Sequence, residues 1–288
     1  MIVVTGATGH FGHATIDFLL KKGVPTSHIT AFVRDETKAQ ELKDKGVIIK
    51  QGHYDDYDSL LNAFRGADKV LLVSGLDHNR EEQHKNVIRA AGEMGVQHIL
   101  YTSIARKNNS DQTSLGFLGE SHIGTEKAVI ASGIPYTILQ NSLYTDGLPL
   151  FLGEQVLETG VFFPANDGKV NFATRADMAE AAANILTGTG HDNKTYVIAG
   201  PNAYSFQEIA QTLGALTGKE VAYINPAPET FKNVLEGVGL PEHLVGVTLA
   251  FAGTIRNGEL ETENADLEKL LGRTPEGLAD TLRSIYLN

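Results

Sequence analysis

The sequence predicts an α/β fold: a doubly wound parallel sheet followed by a smaller, mainly helical C-terminal lobe. Three observations predict it. A short apolar run at residues 2–4 leads through a glycine-rich turn into residues 14–20, where apolar side chains recur with helical spacing. Apolar runs and amphipathic stretches then alternate as far as Leu139, the pattern of repeated βα units that build a parallel sheet with helices on both faces. From Ser205 onward the chain reads as mostly helical, punctuated by Pro226, Pro228, Pro241 and Pro275.

The elements follow in order. Residues 2–4 read as a buried strand, and Gly6, Gly9 and Gly12 succeed it with G-x-x-G-x-x-G spacing. The first glycine lets the chain turn out of the strand, the second lets backbone N–H groups approach a pyrophosphate, and the third lets the helix lie close on the strand. The helix N-terminus then offers unpaired N–H groups and a partial positive charge to phosphates. This is the pattern of a Rossmann-type dinucleotide site, with Gly6, Ala7, Thr8, Gly9, His10 and Phe11 as candidate contacts.

Further strands are expected at 29–33, 47–50, 69–73 and 98–103, with helices at 35–45, 59–64 and 80–94 closed by Gly46, Gly66 and Gly95. Residues 107–119 are polar and read as a loop at the active-site end of the sheet. A helix at 120–132, closed by Gly133 with Pro135 just beyond, precedes a sixth strand at 136–139. Helical stretches at 148–157 and 178–186 then flank a small segment at 161–172, and 195–199 reads as one more strand. The expected division is a dinucleotide-binding domain at 1–145, with parts of 146–200 returning to the sheet, and a smaller substrate-side lobe at 201–288.

Composition narrows the function. The 288 residues contain no cysteine, which excludes disulfides, thiolate metal sites and a cysteine nucleophile. Lys and Arg number 24 against 35 Asp and Glu, a net charge of −11 that disfavours a nucleic-acid partner. The first strand begins at residue 2, so no signal peptide is expected, and no apolar run approaches membrane-spanning length. A cytoplasmic protein is expected, its oligomeric state open and a homodimer included.

Candidate site residues lie where strands end, since such sheets bind ligands beyond their carboxyl ends. Arg34 ends the second strand, where an arginine accommodates a 2′-phosphate bidentately, so NADP(H) is the expected cofactor. Asp35 reads as the cap of the next helix. Tyr54 and Asp55 read equally as the adenine end of the site or as turn residues. Ser74 and Gly75 are small enough for a ribose to approach, and Thr102 and Ser103 end the fifth strand near the expected nicotinamide. Helical spacing puts Ile123 and Lys127 on one face of the following helix, and His122 and Glu126 on the neighbouring one. Lys127 facing the cofactor would hydrogen-bond the nicotinamide ribose. His122 and Glu126 read as a helix-surface pair, and no metal site is expected.

The stretches VTGATGHFG, FVRD, YTSI, ESHIGTEK, PYTILQNSLY and FATRADMAEAAA resemble the NmrA-like family of atypical short-chain dehydrogenase/reductases, and within it the bacterial type 2 NADPH:quinone oxidoreductases. The likeness spans most of the chain to about Gly200. It implies an NADP-bound Rossmann fold with a small C-terminal lobe and two-electron reduction of a small-molecule quinone. It suggests that residues 141–144, Asn141 and Tyr144 among them, border the nicotinamide and substrate cleft. The catalytic roles are expected of Lys127, positioning the ribose, and of Asn141, hydrogen-bonding the carboxamide or the quinone oxygen. Arg175 either faces that cleft or precedes the helix that Asp177 caps, and the structural role is the expected one for both. The chain departs from the wider dehydrogenase pattern at Ile123, where Tyr-x-x-x-Lys would place a tyrosine. That departure makes ketone chemistry and a nucleotide-sugar epimerase poor fits. It leaves one alternative, an NADP-binding redox sensor without turnover.

Overall fold

The strand at Ile2–Thr5 (β1) is buried along its whole length, as an apolar run covered by helices on both faces must be. The computed structural model describes residues 1–107 and 112–287, so residues 108–111 of the loop expected over 107–119 lie outside the described residues. From β1 the chain runs through α1 (His10–Lys21), β2 (Ile29–Val33), α2 (Gln40–Asp44), β3 (Ile48–Gln51), α3 (Tyr57–Phe64), β4 (Lys69–Leu72), α4 (Arg80–Glu93), β5 (His98–Ile104), α5 (Phe117–Ala131) and β6 (Tyr136–Asn141). It continues through α6 (Pro149–Leu152), α7 (Val156–Thr159), β7 (Val161–Phe162), β8 (Lys169–Val170), α8 (Arg175–Thr187) and β9 (Lys194–Ile198). The rest comprises β10 (Tyr204–Ser205), α9 (Phe206–Thr217), β11 (Tyr223–Ile224), α10 (Pro228–Gly237), α11 (Glu242–Arg256), α12 (Leu267–Leu271) and α13 (Leu278–Tyr286).

Seven strands form one sheet in the order β3-β2-β1-β4-β5-β6-β9, every neighbouring pair parallel. The order reverses between β1 and β4, which opens a crevice at their carboxyl ends. Side chains alternate across the sheet. Leu100 of β5 joins Val4, Leu71 and Leu139 under α1 and α8. Its neighbours Ile99 and Tyr101 join Val3, Val70 and Ile138 under α3 and α4. A third apolar cluster lies outside the sheet, where Phe163 stacks on Phe206 at 4.3 Å between ring centres. It draws on Leu143–Phe172 as well as on Phe206, Phe231, Ile255 and Leu282. Among the described residues no helix is long and apolar enough to cross a membrane.

Several elements differ from the sequence reading for identifiable reasons. The helix expected at 35–45 begins as a 3-10 turn, Glu36–Ala39, because the Asp35 carboxylate accepts the Thr37 N–H at 2.9 Å and its hydroxyl at 2.6 Å. The helix expected at 148–157 is two short ones, α6 and α7, because Gly153 takes φ +76 and turns the chain out. The cap of α8 is Thr174, which accepts the Asp177 N–H at 3.1 Å, rather than Asp177. Asp177 instead accepts from Arg273 and from the Glu276 N–H. Part of the C-terminal segment returns to the sheet: Asp266 exchanges two hydrogen bonds with Val197 on β9, and Leu267 enters the α1–α8 core.

Candidate functional site

The glycine turn is built as its spacing suggests. Gly6 adopts φ +58, a left-handed conformation that favours glycine, and a side chain there would press on Val73. The Gly9 N–H donates to the Gly6 carbonyl at 3.0 Å, and extended Gly9 caps α1 without a side-chain acceptor. The first-turn N–H groups of α1 therefore point out of the loop uncapped. At Gly12 a Cβ would lie 2.5 Å from the Gly6 carbonyl oxygen, so helix and turn touch backbone to backbone. Gly6, Gly9 and His10 are exposed and Thr8 is half-buried, whereas the side chains of Ala7 and Phe11 belong to the core. Ala7 and Phe11 thus offer a ligand only their backbones.

Three further strand ends lie beside this turn. Arg34 carries its guanidinium 78% exposed, with Asp77 3.8 Å away. Tyr54 and Asp55 are taken up by the protein. The Tyr54 hydroxyl donates to the Val73 carbonyl at 2.8 Å and is hydrogen-bonded to the Thr5 hydroxyl at 2.5 Å, while Asp55 accepts from Asn79 and Gln83. Burial holds the Tyr54 phenol protonated far above its usual range. The Ser74 N–H donates to Thr102 Oγ1 at 2.9 Å and the Gly75 N–H to His84 Nε2 at 3.1 Å. Space beside Gly75 is open: a Cβ there would meet nothing within 4 Å but Gln83 Oε1, at 3.8 Å.

At the ends of β5 and β6 stands a cluster the sequence reading missed. The Glu126 carboxylate faces inward and accepts from Ser103, from Gln140 at 3.4 Å, and from Arg106 through both oxygens at 3.0 and 2.7 Å. His122 is buried, bonded to Arg80 at 3.0 Å and to the Tyr101 hydroxyl at 2.8 Å. The helix-surface pair expected of His122 and Glu126 is therefore not formed: both look into the molecule, toward partners on other elements. Ile123 is buried between them in sequence, and Lys127 is exposed.

Asn141 ends β6 and is 4% exposed, yet neither atom of its amide makes a well-formed hydrogen bond to protein among the described residues, although the amide lies close enough to the Tyr144 hydroxyl to favour its ionised form. The next residue, Ser142, is likewise unpartnered at its hydroxyl. Half-buried Tyr144 lies beside Asn141, its ring under the Arg175 guanidinium at 4.4 Å. Burial raises the Tyr144 phenol, against the opposing influence of Asn141 and Arg175. Arg175 is itself paired with Asp146.

Comparison with known proteins places this geometry. The NmrA-like family matches residues 1–278. Quinone oxidoreductase 2 of Escherichia coli (strain K12) is 39% identical over 288 residues, covering 99% of each chain. Among solved structures, the NADPH-dependent quinone oxidoreductase of Escherichia coli complexed with NADPH superposes with a TM-score of 0.93 at 37% identity, over 99% of this chain and 100% of that one. The Citrobacter sp. triphenylmethane reductase complexed with NADP(H) gives 0.92 at 39% identity, over 99% and 100%.

Proposed function

This chain belongs to the NmrA-like family, and we propose that within it the chain is an NADPH-dependent quinone oxidoreductase. The residues present fit the cofactor. A pyrophosphate needs an uncapped helix N-terminus reached over glycine, which Gly6, Gly9 and the backbone of Ala7–Phe11 supply. A 2′-phosphate needs a cation beside the second strand, and the exposed Arg34 is one. A ribose needs room after the fourth strand, and Gly75 leaves it. In this reading Ser74, Gly75, Thr102 and Ser103 border the nicotinamide nucleoside, Lys127 reaches its ribose, and Asn141 and Tyr144 border the substrate.

The observation that carries the reading is Asn141. A buried amide left unpaired costs about 1–3 kcal/mol, and this one sits at the carboxyl end of a parallel strand, where such folds bind ligands. Its N–H donor suits a quinone oxygen or a carboxamide oxygen. The bound cofactor supplies the hydride. Two-electron reduction of a quinone to a hydroquinone takes up that hydride and one proton. The proton goes to a phenolate-type oxygen, weakly basic because the ring shares its charge, so water can deliver it. The protein's part is to hold the ring close and oriented. The acidic charge of −11 supports a small-molecule partner rather than nucleic acid, and a cytoplasmic location completes the reading.

The test is NADPH consumption against a panel of benzoquinones and naphthoquinones, with simple ketones in parallel. Many turnovers with quinones and none with ketones is the expected result. Tight NADPH binding without turnover on any quinone would overturn the enzyme reading in favour of a sensor. Efficient ketone reduction would overturn the proton argument.

A further inference from the structure

We infer that His84 is a positioning residue that sets the direction of the Ser74–Gly75 peptide at the cofactor cleft. The inference rests on the proposed function in taking the nucleotide to lie over that peptide.

His84 is fully buried on α4, and both ring nitrogens are committed. Nε2 stands 3.1 Å from the Gly75 N–H, which has only a proton to give, so Nε2 is the acceptor. Nδ1 lies 2.9 Å from Thr125 Oγ1. The Thr125 hydroxyl donates its own proton to the Ser121 carbonyl at 2.7 Å, which leaves its lone pair to accept from Nδ1–H. The network thus admits one tautomer, neutral and protonated on Nδ1. Burial and the Arg80 guanidinium one turn earlier on α4 preserve that state, lowering the imidazole to about 3.

The consequence falls on the other side of the peptide plane. The Ser74–Gly75 bond is trans, so the Ser74 carbonyl points opposite to the Gly75 N–H. With that N–H drawn toward α4, the carbonyl is turned away from it. The preceding peptide is fixed on both sides: the Ser74 N–H donates to Thr102, and the Val73 carbonyl accepts from Tyr54. Three of the four polar groups of these two consecutive peptides are therefore satisfied by protein, and space beside Gly75 is open. The Ser74 carbonyl is left as an acceptor for a hydroxyl donor, which the sugar of a nucleotide carries.

Two substitutions separate positioning from packing. Asparagine reaches only as far as ring Nδ1, so His84→Asn keeps the donor to Thr125 and removes the acceptor under Gly75. Glutamine reaches the Nε2 position, so His84→Gln keeps the acceptor and loses the donor. NADPH titration by fluorescence should find the Asn variant about tenfold weaker, the worth of one hydrogen bond, and the Gln variant within about threefold of wild type on the same grounds. Both should melt at similarly lowered temperatures, and kcat at saturating NADPH should hold. Equal affinity in the two variants overturns the inference while leaving the proposed function standing. Failure of the wild type to bind NADPH overturns the proposed function and this inference together. A measurement on the unsubstituted protein guards against variants that do not fold: the Gly75 amide should exchange slowly with solvent, and exchange at the rate of a free loop amide refutes its bond to His84.

Discussion

Gly75→Ala and Gly12→Ala form a matched pair that isolates the cofactor cleft from the fold. At Gly75 an added methyl meets only a side-chain oxygen at 3.8 Å, an ordinary contact, and the backbone is not left-handed. The protein itself has no objection, and loss of glycine's freedom in the unfolded chain adds roughly 0.4–1 kcal/mol of stability. The melting temperature should hold or rise slightly. The methyl instead stands in the space assigned to the ribose. Displacing the sugar enough to lose one hydrogen bond weakens NADPH about tenfold. At Gly12 the same methyl lies 2.5 Å from the Gly6 oxygen, 2.9 Å from its carbon and 3.0 Å from Ala7 Cα, all backbone. Helix α1 must back away from the turn, at a cost of roughly 1–3 kcal/mol. That is a fall of about 2–10 °C for a chain of this size, with NADPH affinity lost as well. Thermal melting and fluorescence titration on both variants decide the matter. If Gly75→Ala binds NADPH as wild type does, the ribose does not pass over Gly75; if Gly12→Ala melts unchanged, the close approach of helix and turn is not what the third glycine provides.

Replacing Arg34 by Ala should weaken NADPH about tenfold, the low end for a charge-assisted contact at an exposed side chain, and leave NADH affinity unchanged; an equal loss for both cofactors would contradict a 2′-phosphate contact. Asn141→Leu should keep or raise stability by up to about 1 kcal/mol, since it removes two unpaired buried groups, while lowering quinone kcat/KM by tenfold or more on loss of one oriented hydrogen bond; loss of both stability and activity would point to a structural role instead. Acidification should destabilise the protein through its buried imidazoles. His84 falls to about 3 when folded, whereas an unfolded histidine titrates near 6.5, so the unfolded chain binds more protons between those values. Its contribution is therefore complete above about pH 6.5 and is lost progressively below it, by about 2 kcal/mol between pH 7 and 5. His122 is lowered for the same leading reason, burial, and adds in the same direction. Chemical denaturation at several pH values checks the slope, and stability that rose on acidification would refute the neutral assignment.

The opening turn was legible because each glycine acts within a few residues of itself: Gly6 through its own φ, Gly12 through contact with Gly6. Strand ends were legible for a related reason, since a βα repeat fixes where the carboxyl ends lie before any side chain is placed. The polar layer between α4 and α5 was not. Arg80 and His84 meet His122 and Thr125 across some forty residues of chain, and a helical wheel cannot tell a polar side chain facing water from one facing another helix. Arg106 and Glu126 meet the same obstacle, joined only where β5 and α5 come together. The α8 cap was misplaced within its own Thr-x-x-Asp, because the residue that caps is the one left extended, Thr174. The packing of residues 143–172 with Phe206 and Phe231 was not legible, because that stretch contributes short apolar segments rather than a long periodic helix.

The inward-facing Glu126 bears on which substrates this cleft can serve. Ser103, at the end of β5, is the hydroxyl best placed to protonate an oxygen beside the sheet, yet it donates to Glu126. Arg106 occupies both oxygens of the same carboxylate, and Gln140 adds a fourth contact. Ile123 stands where a tyrosine would act as acid, and His122 is committed to Arg80 and Tyr101. Ser103 and His122 are therefore bound to other parts of the protein and Ile123 is apolar, which leaves the Ser142 and Tyr144 hydroxyls as the protic groups on the substrate side. An alkoxide needs that proton as it forms, because its basicity would otherwise return the hydride. A hydroquinone oxygen does not, because the ring that accepted the hydride also holds the charge until water arrives. On the proposed reading, the Glu126 network withholds Ser103 from ketone reduction and costs quinone reduction nothing, so any ketone turnover would have to draw its proton from Ser142 or Tyr144.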